Sequence, residues 1–494
     1  MGHLLGIDLG TSSVKAVLIN ETGMVAAVAQ EEYGIDTPYP GWAEQDPETW
    51  WRATCAVINE AVRKSSAGPD AIKAIGFSGQ MHGAVFLDKG GRPLRPAIIW
   101  ADQRSAEQCR RIYETVGRKK LAELTCNPVA PGFMAASVLW LKENDPKTFA
   151  KVKHVLLPKD YVRYRMTGKV ASEPSDACST LLFDTKNRDW SRELVEALDL
   201  PMKILPPIIR SWDVAGELVP DAAAELGLPP GTPVTAGGGD QPIAAIANGV
   251  IEPGILLATI GTGGQLFAPL AEPRYDPQLR THTFCHAAPD RWFIMGAMLS
   301  AGLSLRWFRD NMADGVPYAQ LSEEAERIPP GSDGLIFLPY LVGERTPHMD
   351  PKATGCFVGL TLRHGRAHMA RAIMEGVAFA MRDSLEIFRE LGVTYRKAIA
   401  SGGGARSPLW RQIQADVFGV DLVTVDVAEQ AGVGAALLAG VGVGVFKNVA
   451  EACRRAVSYG EGASPIEANR ALYEEKYRAF RALYPRLKTI FRLL

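Results

Sequence analysis

Near the middle of the 494-residue chain runs the stretch AGGGDQP, residues 236–242, and similar glycine-rich turns occur on either side of it. Three consecutive glycines let a ligand approach the backbone closely, because they carry no Cβ. Asp240 follows them at once, on a predicted turn from a strand to a helix. Two interpretations of Asp240 are open: a general base, or the cap of a helix over residues 241–250 with Pro242 in its first turn.

The beginning of the chain predicts a β-meander with a polar first turn. Residues 4–8, 14–19 and 24–29 are apolar, strand-like runs, and the first turn has the sequence DLGTSS, residues 8–13. Backbone N–H groups and hydroxyls that converge in such a hairpin suit an anion such as a phosphate. The alternative is a plain hairpin turn. The candidate phosphate ligands are Thr11, Ser12 and Ser13.

The second half of the chain repeats this pattern. Residues 254–260 predict a buried strand that ends in GTGG, residues 261–264. A strand that ends in Gly-Thr in each half suggests two related domains, each contributing a phosphate-binding hairpin to one cleft. A third turn, SGGGAR at residues 401–406, also follows a strand, and its bare backbone can lie against a phosphate or a flat ring.

A polar interruption, SGQMHG at residues 78–83, separates two apolar strand-like runs. Ligands of α/β sheets usually bind at the ends of strands, so Gln80 and His82 are candidate ligand-binding residues. The alternative is that His82 is a structural turn histidine.

Length and composition favour a globular protein of two large domains. A chain of 494 residues is too long for one hydrophobic core, so two large domains are expected, with a cleft between them.

The formal net charge of -1 gives no reason to expect nucleic acid or an acidic membrane surface as a partner. The 7 cysteines are scattered and show no Cys-x-x-Cys pair, which indicates reduced thiols. Because we see neither a signal peptide nor a bilayer-spanning apolar run, we expect a cytoplasmic protein.

The glycine-hydroxyl turns in both halves, together with Asp240, suit a protein that binds a nucleoside triphosphate between two domains and transfers its terminal phosphoryl group. The sequence contains no Gly-x-x-x-x-Gly-Lys-Ser/Thr loop, no protein-kinase signature and no dinucleotide-binding fingerprint after the first strand. The motifs therefore indicate another class of phosphotransferase.

The motifs, taken in order and spacing, resemble those of the FGGY family of carbohydrate kinases. That family belongs to the superfamily of actin, hexokinase and the heat-shock chaperone ATPases. Within the family, further motifs are similar to those of bacterial xylulokinases. The first set is Asp8-x-Gly-Thr, Gly-Gly-Gly-Asp240, Gly261-Thr262-Gly and Gly402-Gly-Gly-Ala-Arg; the second is Trp42-x-Glu-Gln-Asp-Pro, Ser78-Gly-Gln-Met-His-Gly, Pro158-Lys-Asp-Tyr and Gly343-Glu-Arg-Thr-Pro-His.

The resemblance implies an α/β fold with two ribonuclease-H-like domains around an interdomain cleft. It implies an N-terminal domain over residues 1–247, a nucleotide-binding domain over 248–445 and C-terminal helices packed on the second domain over 446–494. It also implies ATP and Mg²⁺ as cofactors and D-xylulose as the substrate, phosphorylated on O5 in D-xylose catabolism. The oligomeric state is not defined by the sequence, and a homodimer is left open.

The resemblance also assigns roles to single residues. Asp240 matches the catalytic base, and Asp8 matches an aspartate near the magnesium ion and the phosphates. The sugar-binding side comprises Gln80, Met81, His82 and Gln241. The phosphate and nucleotide side comprises Thr11, Ser12, Ser13, Lys15, Gly261, Thr262, Gly302, Gly403 and Gly404.

Two residues depart from the xylulokinase pattern. Gln241 stands where many xylulokinases have asparagine, and Gly263 replaces a frequent serine. The alternatives are therefore a kinase for another ketose or polyol, such as ribulose, L-xylulose or glycerol, and a regulator that binds sugar or nucleotide without turnover. His282 and His286 could be metal ligands, but ordinary packing is the interpretation we favour.

Overall fold

The computed structural model describes residues 2–427 and 429–494, and it contains two large seven-stranded sheets. The first half of the chain builds the first sheet and a set of short strands and helices beside it. The strands are β1 (His3–Leu9), β2 (Ser13–Asn20), β3 (Val25–Glu32), β4 (Glu44–Gln45), β5 (Ile72–Gly79), β6 (Val85–Leu87), β7 (Ala97–Ile98), β8 (His154–Leu156), β9 (Phe183–Asp184), β10 (Asp189–Trp190), β11 (Val214–Glu217), β12 (Pro233–Thr235) and β13 (Gly238–Gly239). The helices are α1 (Pro47–Lys64), α2 (Ala106–Val116), α3 (Arg118–Thr125), α4 (Met134–Asn144), α5 (Pro146–Phe149), α6 (Pro158–Thr167), α7 (Pro174–Ala177), α8 (Arg192–Ala197), α9 (Pro220–Leu226) and α10 (Asp240–Ala247).

The second half builds the second sheet and the C-terminal helices. Its strands are β14 (Gly254–Ile260), β15 (Gly264–Leu270), β16 (His282–Cys285), β17 (Trp292–Met298), β18 (Ile336–Leu338), β19 (Cys356–Val358), β20 (Tyr395–Ser401), β21 (Asp421–Val425) and β22 (Tyr459–Ala463). Its helices are α11 (Gly302–Met312), α12 (Tyr318–Glu326), α13 (Arg366–Glu390), α14 (Pro408–Phe418), α15 (Gln430–Gly442), α16 (Val449–Ala456) and α17 (Glu467–Phe491).

The two sheets share one topology. The first runs β11-β12-β5-β1-β2-β3, with β13 added on β5, and the second runs β22-β21-β20-β14-β15-β17-β16. In each, a central strand (β1 or β14) pairs antiparallel with the next strand (β2 or β15) and parallel with a later one (β5 or β20). The two predicted Gly-Thr turns are the equivalent first hairpins of these sheets, which supports the predicted internal repeat.

The central strand β1 is apolar because both of its faces are covered. Leu5 and Ile7 lie in the core beneath α1, whereas Leu4 packs in a separate cluster with α15. Helix α15 packs its own backbone on this sheet: a Cβ at Gly6 would lie 1.8 Å from the carbonyl oxygen of Gly432. Small residues on both sides are therefore required for this contact.

One helix packs across the predicted division of the chain. Helix α15 falls within the predicted second domain, residues 248–445, yet it covers the first sheet, and α16 packs with α15 and α10. The prediction for the last helix is closer to the structure, because α17 packs on α13, α14 and β18 of the second half. Its buried side chains are Tyr473, Tyr477, Phe480, Tyr484 and Phe491. The exact boundaries at residues 247 and 445 stay a prediction.

No helix within residues 2–427 and 429–494 combines the length and the apolar character needed to cross a membrane.

Candidate functional site

The site is built where three parallel strands of the first sheet end together. Asp8 on β1 is paired in register with Ser78 on β5, and Ser78 is paired with Gly238 on β13. The Ser78 hydroxyl donates to Asp8 Oδ1 over 2.9 Å. The carboxyl edge of such a sheet is the usual ligand-binding edge. The structure therefore brings Asp8 and the glycine stretch before Asp240 to one place.

Asp240 is the first residue of α10, and Gly239 is the N-cap. The interpretation of Asp240 as the N-cap of a helix over 241–250 is thus incorrect, although its Oδ1 does accept a hydrogen bond from the Gln241 N–H over 2.7 Å. Burial and the neighbouring negative charge of Asp8 raise the pKa of Asp240 to about 7, while hydrogen bonds from the Gln241 backbone and side chain act in the opposite direction. A carboxyl group with a pKa near neutrality suits general-base catalysis.

Asp8 is partly exposed, like Asp240. Burial raises the pKa of Asp8, whereas the Ser78 hydrogen bond and the charge of Lys15 lower it. Lys15 itself lies on β2 with Nζ 2.5 Å from Glu429 Oε2. In this structure the ammonium group of Lys15 is therefore paired with a carboxylate rather than left for a phosphate.

Close packing explains two of the glycines before Asp240. Gly237 has φ 78°, and a Cβ there would lie 2.2 Å from the carbonyl oxygen of Phe77. A Cβ at Gly239 would lie 2.8 Å from the sulfur of Met81. Because larger residues would displace these neighbours, the glycines hold the base next to the predicted sugar-binding residues.

His82 directly follows Met81 and is held in one orientation. Its backbone has φ 74°, which is strained for a residue with a side chain. Nδ1 lies 2.9 Å from the carbonyl oxygen of Ser179 and must carry the proton, since a carbonyl only accepts. Burial lowers the pKa of His82 to about 4 and nearby Arg345 adds to the lowering, although the hydrogen bond to Ser179 opposes it. The neutral ring thus presents Nε2 as an acceptor.

Aromatic rings and one cation surround His82. Its ring stacks on Phe133 with centroids 3.8 Å apart and lies near Phe284. His282 stacks on Phe284 in turn. Arg345 is exposed, and its charge contributes to the lowered pKa of His82. These side chains form a partly apolar wall with a cation at its edge.

Gln80 directly follows β5 and is almost fully buried. Its side chain is 2% exposed, and its amide nitrogen donates to Gln45 Oε1 over 2.9 Å. Gln45 in turn donates to the carbonyl oxygen of Thr11 over 2.7 Å. The Thr11 hydroxyl accepts a hydrogen bond from Trp100 Nε1 over 2.9 Å. Gln80 therefore supports the first hairpin through Gln45, and its role in binding a sugar stays a prediction.

Ser12 and Ser13 complete that hairpin. Ser12 is exposed at the tip of the turn, and Ser13 begins β2 and accepts the Gly10 N–H at its carbonyl oxygen over 2.9 Å. Of the three predicted hydroxyl ligands, Ser12 is thus the most accessible.

Five of the nine residues predicted for the phosphate and nucleotide side line one cavity of about 670 Å³ in the second half. Gly302 begins α11 there, and a Cβ on it would lie 2.3 Å from the carbonyl oxygen of Gly261. Thr262 is exposed in the turn, and its carbonyl oxygen accepts the N–H groups of Ala301 and Leu303 over 3.0 Å each. The predicted residues that share the cavity are Gly261, Thr262, Gly302, Gly403 and Gly404.

Gly263, one of the two departures from the family pattern, has a structural explanation. A Cβ at this position would lie 2.7 Å from the carbonyl oxygen of Met298. The end of β17 thus approaches the turn too closely for a serine without displacement.

Both implied cofactors fit the residues present. The cavity has a volume suited to a nucleotide and is bordered by glycines that expose backbone, as ATP requires. No group of three or more His, Cys, Asp or Glu side chains able to hold a metal occurs in the described part of the chain. Asp8 is the carboxylate that would hold a magnesium ion, with water and nucleotide oxygens as its further ligands.

His282 and His286 do not form a metal site. His282 Nδ1 lies 3.1 Å from Asn127 Oδ1, and His286 Nε2 lies 3.0 Å from the carbonyl oxygen of Val250. Burial lowers the pKa of His282 to about 3 and that of His286 to about 4, so both are neutral. The packing interpretation is confirmed.

Sequence reasoning missed several residues next to the site. Ser78 and Arg345 lie within quoted motifs, so their position beside Asp8 and His82 could have been suspected. Phe133, Ser175 and Ser179 lie outside the quoted motifs and carry no pattern that marks them. Ser175 Oγ accepts the Gly239 N–H over 3.2 Å, which only the folded chain reveals.

Known protein families and relatives match this chain along most of its length. The family model described as the FGGY family of carbohydrate kinases, N-terminal domain, matches residues 3–247, and the C-terminal domain model matches residues 256–443. The chain is 38% identical over 490 residues to a xylulose kinase of Bacillus subtilis, covering 99% of this chain and 98% of that protein. It is 38% identical over 491 residues to a xylulose kinase of Escherichia coli, covering 98% and 99%.

Solved structures show the same fold. The crystal structure of a xylulose kinase from Rhodospirillum rubrum superposes with a TM-score of 0.92 at 31% identity, covering 99% of this chain and 100% of that one. Because two domain models cover most of the sequence and the relatives align over almost their full length, the chain belongs to the FGGY family of carbohydrate kinases.

Proposed function

We propose that the protein is an ATP-dependent sugar kinase that transfers the γ-phosphoryl group of ATP to O5 of D-xylulose, giving D-xylulose 5-phosphate and ADP. One observation carries the proposal: a partly exposed carboxylate, Asp240, has its pKa raised to about 7 and lies directly after a glycine that packs on Met81. The names of the relatives, which are xylulose kinases, support the choice of sugar.

The base is needed because a sugar hydroxyl is a poor nucleophile. Asp240 accepts the proton of the O5 hydroxyl as O5 forms its bond to the γ-phosphorus. The bond between the γ-phosphorus and the bridging oxygen of ADP breaks, and ADP leaves with the electron pair. The transition state is loose and its charge is spread over oxygen atoms, so orientation of the reactants contributes more than covalent help.

The sugar is oriented by the residues that precede β6. Nε2 of His82 accepts a hydrogen bond from a sugar hydroxyl, because the N–H at Nδ1 already donates to the carbonyl oxygen of Ser179. The side chain of Met81, fixed against Gly239, covers the apolar side of the sugar carbons. The exposed guanidinium of Arg345 offers donors for the ketose carbonyl oxygen.

The two hairpins and the cavity receive ATP. The hydroxyls of Ser12 and Thr262 and the N–H groups of their turns point to the phosphates, while the glycines of the third turn border the nucleoside. Magnesium bound beside Asp8 would neutralise negative charge on the phosphate oxygens. Lys15 takes no direct part while it is paired with Glu429.

A second candidate is a kinase for another ketose or polyol. It is favoured by Gln241, whose longer side chain follows Asp240 directly and acts to lower the pKa of its carboxylate. A longer amide there changes which hydroxyl pattern fits next to the base. A regulator without turnover is disfavoured, because a protein that only binds has no use for a base with this pKa.

The test is a comparison of acceptors with purified protein, ATP and Mg²⁺. We expect kcat/KM for D-xylulose to exceed that for D-ribulose, L-ribulose, L-xylulose, glycerol and gluconate by at least about tenfold. A higher value for any of the others would contradict D-xylulose as the substrate. ATP binding without turnover of any acceptor would favour the regulator.

The cytoplasm stays the predicted compartment, and a homodimer stays open. All seven cysteines are free thiols, which supports a reducing environment.

A further inference from the structure

A buried turn beside the first sheet contacts both the proposed base and the proposed sugar ligand. It comprises residues 173–180 and includes α7. Its Ser175 Oγ accepts the N–H of Gly239, the residue before Asp240, over 3.2 Å. Its Ser179 accepts the His82 N–H at Oγ over 3.2 Å and lies against His82 Nδ1 at the carbonyl oxygen over 2.9 Å. One short segment therefore holds the backbone at two positions: Gly239, which precedes the proposed base, and His82, the proposed sugar ligand.

The segment is fixed at its beginning by Glu173. Glu173 Oε2 accepts the Ser175 N–H over 2.7 Å, and Oε1 accepts the Asp176 N–H over 2.9 Å. Ser211 donates its hydroxyl to the same Oε2 over 2.7 Å. Glu173, Ser175 and Asp176 are fully buried, so these hydrogen bonds are shielded from water.

Lys159 joins this segment to the strand that leads to His82. Its fully buried ammonium group lies 2.8 Å from Asp160, 3.4 Å from Glu173 and 3.3 Å from Asp176. Burial acts to lower the pKa of Lys159, but the three carboxylates outweigh it and raise the pKa, so the group stays charged. The Cβ of Lys159 is 2.8 Å from where a Cβ on Gly79 of β5 would lie.

We infer that Ser175 and Ser179 are positioning residues, Ser175 for the base Asp240 and Ser179 for the sugar ligand His82. Neither serine touches substrate. Ser175 fixes the peptide from which Asp240 projects, and Ser179 holds His82 in its left-handed conformation, φ 74°. The inference rests on the proposed function, because it assigns the two serines to different steps of that reaction.

The two assignments predict different kinetic defects. Loss of the Ser175 hydroxyl displaces the base, which lowers kcat. Loss of the Ser179 hydroxyl frees His82, which weakens sugar binding and raises KM. A uniformly structural role of the turn would instead change both variants in the same way.

The experiment compares Ser175→Ala, Ser179→Ala and the control Ser172→Ala in the full-length protein. Ser172 is buried in the same cluster and donates to Asp160 Oδ2 over 2.7 Å, but it contacts neither Gly239 nor His82. We expect Ser175→Ala to lower kcat about tenfold with the sugar KM within about twofold, and Ser179→Ala to do the reverse. Ser172→Ala should change neither constant by more than about twofold.

Hydrogen–deuterium exchange gives a readout independent of turnover. Exchange should accelerate at Gly239 in Ser175→Ala and at His82 in Ser179→Ala, and at neither in Ser172→Ala. If Ser175→Ala does not fold, Ser175→Cys, with nearly the same volume and a weaker acceptor, takes its place. The inference is overturned if both variants show the same change in kcat and KM, if neither changes, or if Ser172→Ala reproduces their effects.

Failure of the proposed function is recognised separately. A wild-type protein that does not phosphorylate D-xylulose contradicts the choice of substrate. The kinetic comparison is then made with the acceptor that the wild type does phosphorylate, and the exchange pattern supports or overturns the positioning roles in either case.

Discussion

Replacement of Gln241 by methionine should move the pH dependence of the reaction in a defined direction. The side-chain amide of Gln241 acts to lower the pKa of the Asp240 carboxylate, which burial and Asp8 have raised to about 7. Methionine has a similar length but donates no hydrogen bond, so Gln241→Met should raise the pKa of Asp240.

The size of the effect follows from the value of one hydrogen bond to a charged group. At this partly exposed site we take about 1 kcal/mol, which corresponds to about 0.7 pH units. At pH 7 the deprotonated fraction of Asp240 would fall from about one half to about one sixth, a loss of roughly threefold in rate. Above about pH 9 the base is deprotonated in both proteins, so the difference should vanish there.

The assay is kcat/KM for the sugar between pH 5.5 and 9.5 at fixed, saturating ATP and Mg²⁺. Bound Mg²⁺ and ATP shift both profiles together, so the displacement between wild type and Gln241→Met is the quantity tested. A displacement to lower pH, or an equal loss at every pH, would refute this reasoning about Asp240.

Three further predictions concern separate parts of the molecule. Gly263→Ser should raise the Kd of ATP about tenfold in calorimetry. A Cβ at this position would lie 2.7 Å from the Met298 carbonyl oxygen, whereas ordinary contact begins at 3.4 Å, so the turn must shift by about 0.7 Å. An unchanged Kd of ATP would contradict this. His82→Phe keeps a ring that can stack on Phe133 but loses both nitrogens, so the sugar KM should rise about tenfold while the Kd of ATP stays constant. A rise in the Kd of ATP instead would contradict a role of His82 in sugar binding. Burial raises the pKa of Glu344 to about 8, so the native state binds more protons than the unfolded state between about pH 4.5 and 8. The free energy of unfolding should therefore fall as pH rises through this window, by up to about 1.4 kcal/mol per pH unit. Glu344→Gln should flatten this decline in denaturant titrations. The same slope of unfolding free energy against pH in both proteins would contradict the raised pKa of Glu344.

The parts of the site that could be predicted from sequence are those carried by short, continuous motifs. The turn before Asp240 contains its own glycines, and the turn at Thr262 contains its own glycines and hydroxyl, so their geometry is encoded locally. The strand end that carries Met81 and His82 is likewise encoded by a polar break in an apolar run. The repeated Gly-Thr turn also indicated two similar sheets, which the topology supports.

The parts that could not be predicted depend on partners distant in the chain. Lys15 is paired with Glu429, 414 residues away, and no local pattern marks that contact. Gln80 has the polar side chain expected of a ligand-binding residue, but in the structure it donates to Gln45. Gln45 in turn donates to the carbonyl oxygen of Thr11 in the first hairpin.

The position of α15 is a second example of long-range control. Its sequence shows a helix of small residues but does not show which surface it covers. The carbonyl oxygen of Gly432 fits against Gly6 of the first sheet because both residues lack a side chain, and this match is visible only in the folded chain. Packing thus returns the chain to the first sheet after it has built most of the second.

The most direct test of the central claim is Asp240→Asn. We would measure ADP and sugar phosphate formed from ATP and D-xylulose by wild type and variant, together with the Kd of ATP for each. The account predicts that kcat falls by a factor of about 10²–10⁴, while the Kd of ATP stays within about twofold of the wild-type value. An Asn variant that retained more than about a tenth of the wild-type kcat would show that Asp240 is not the base.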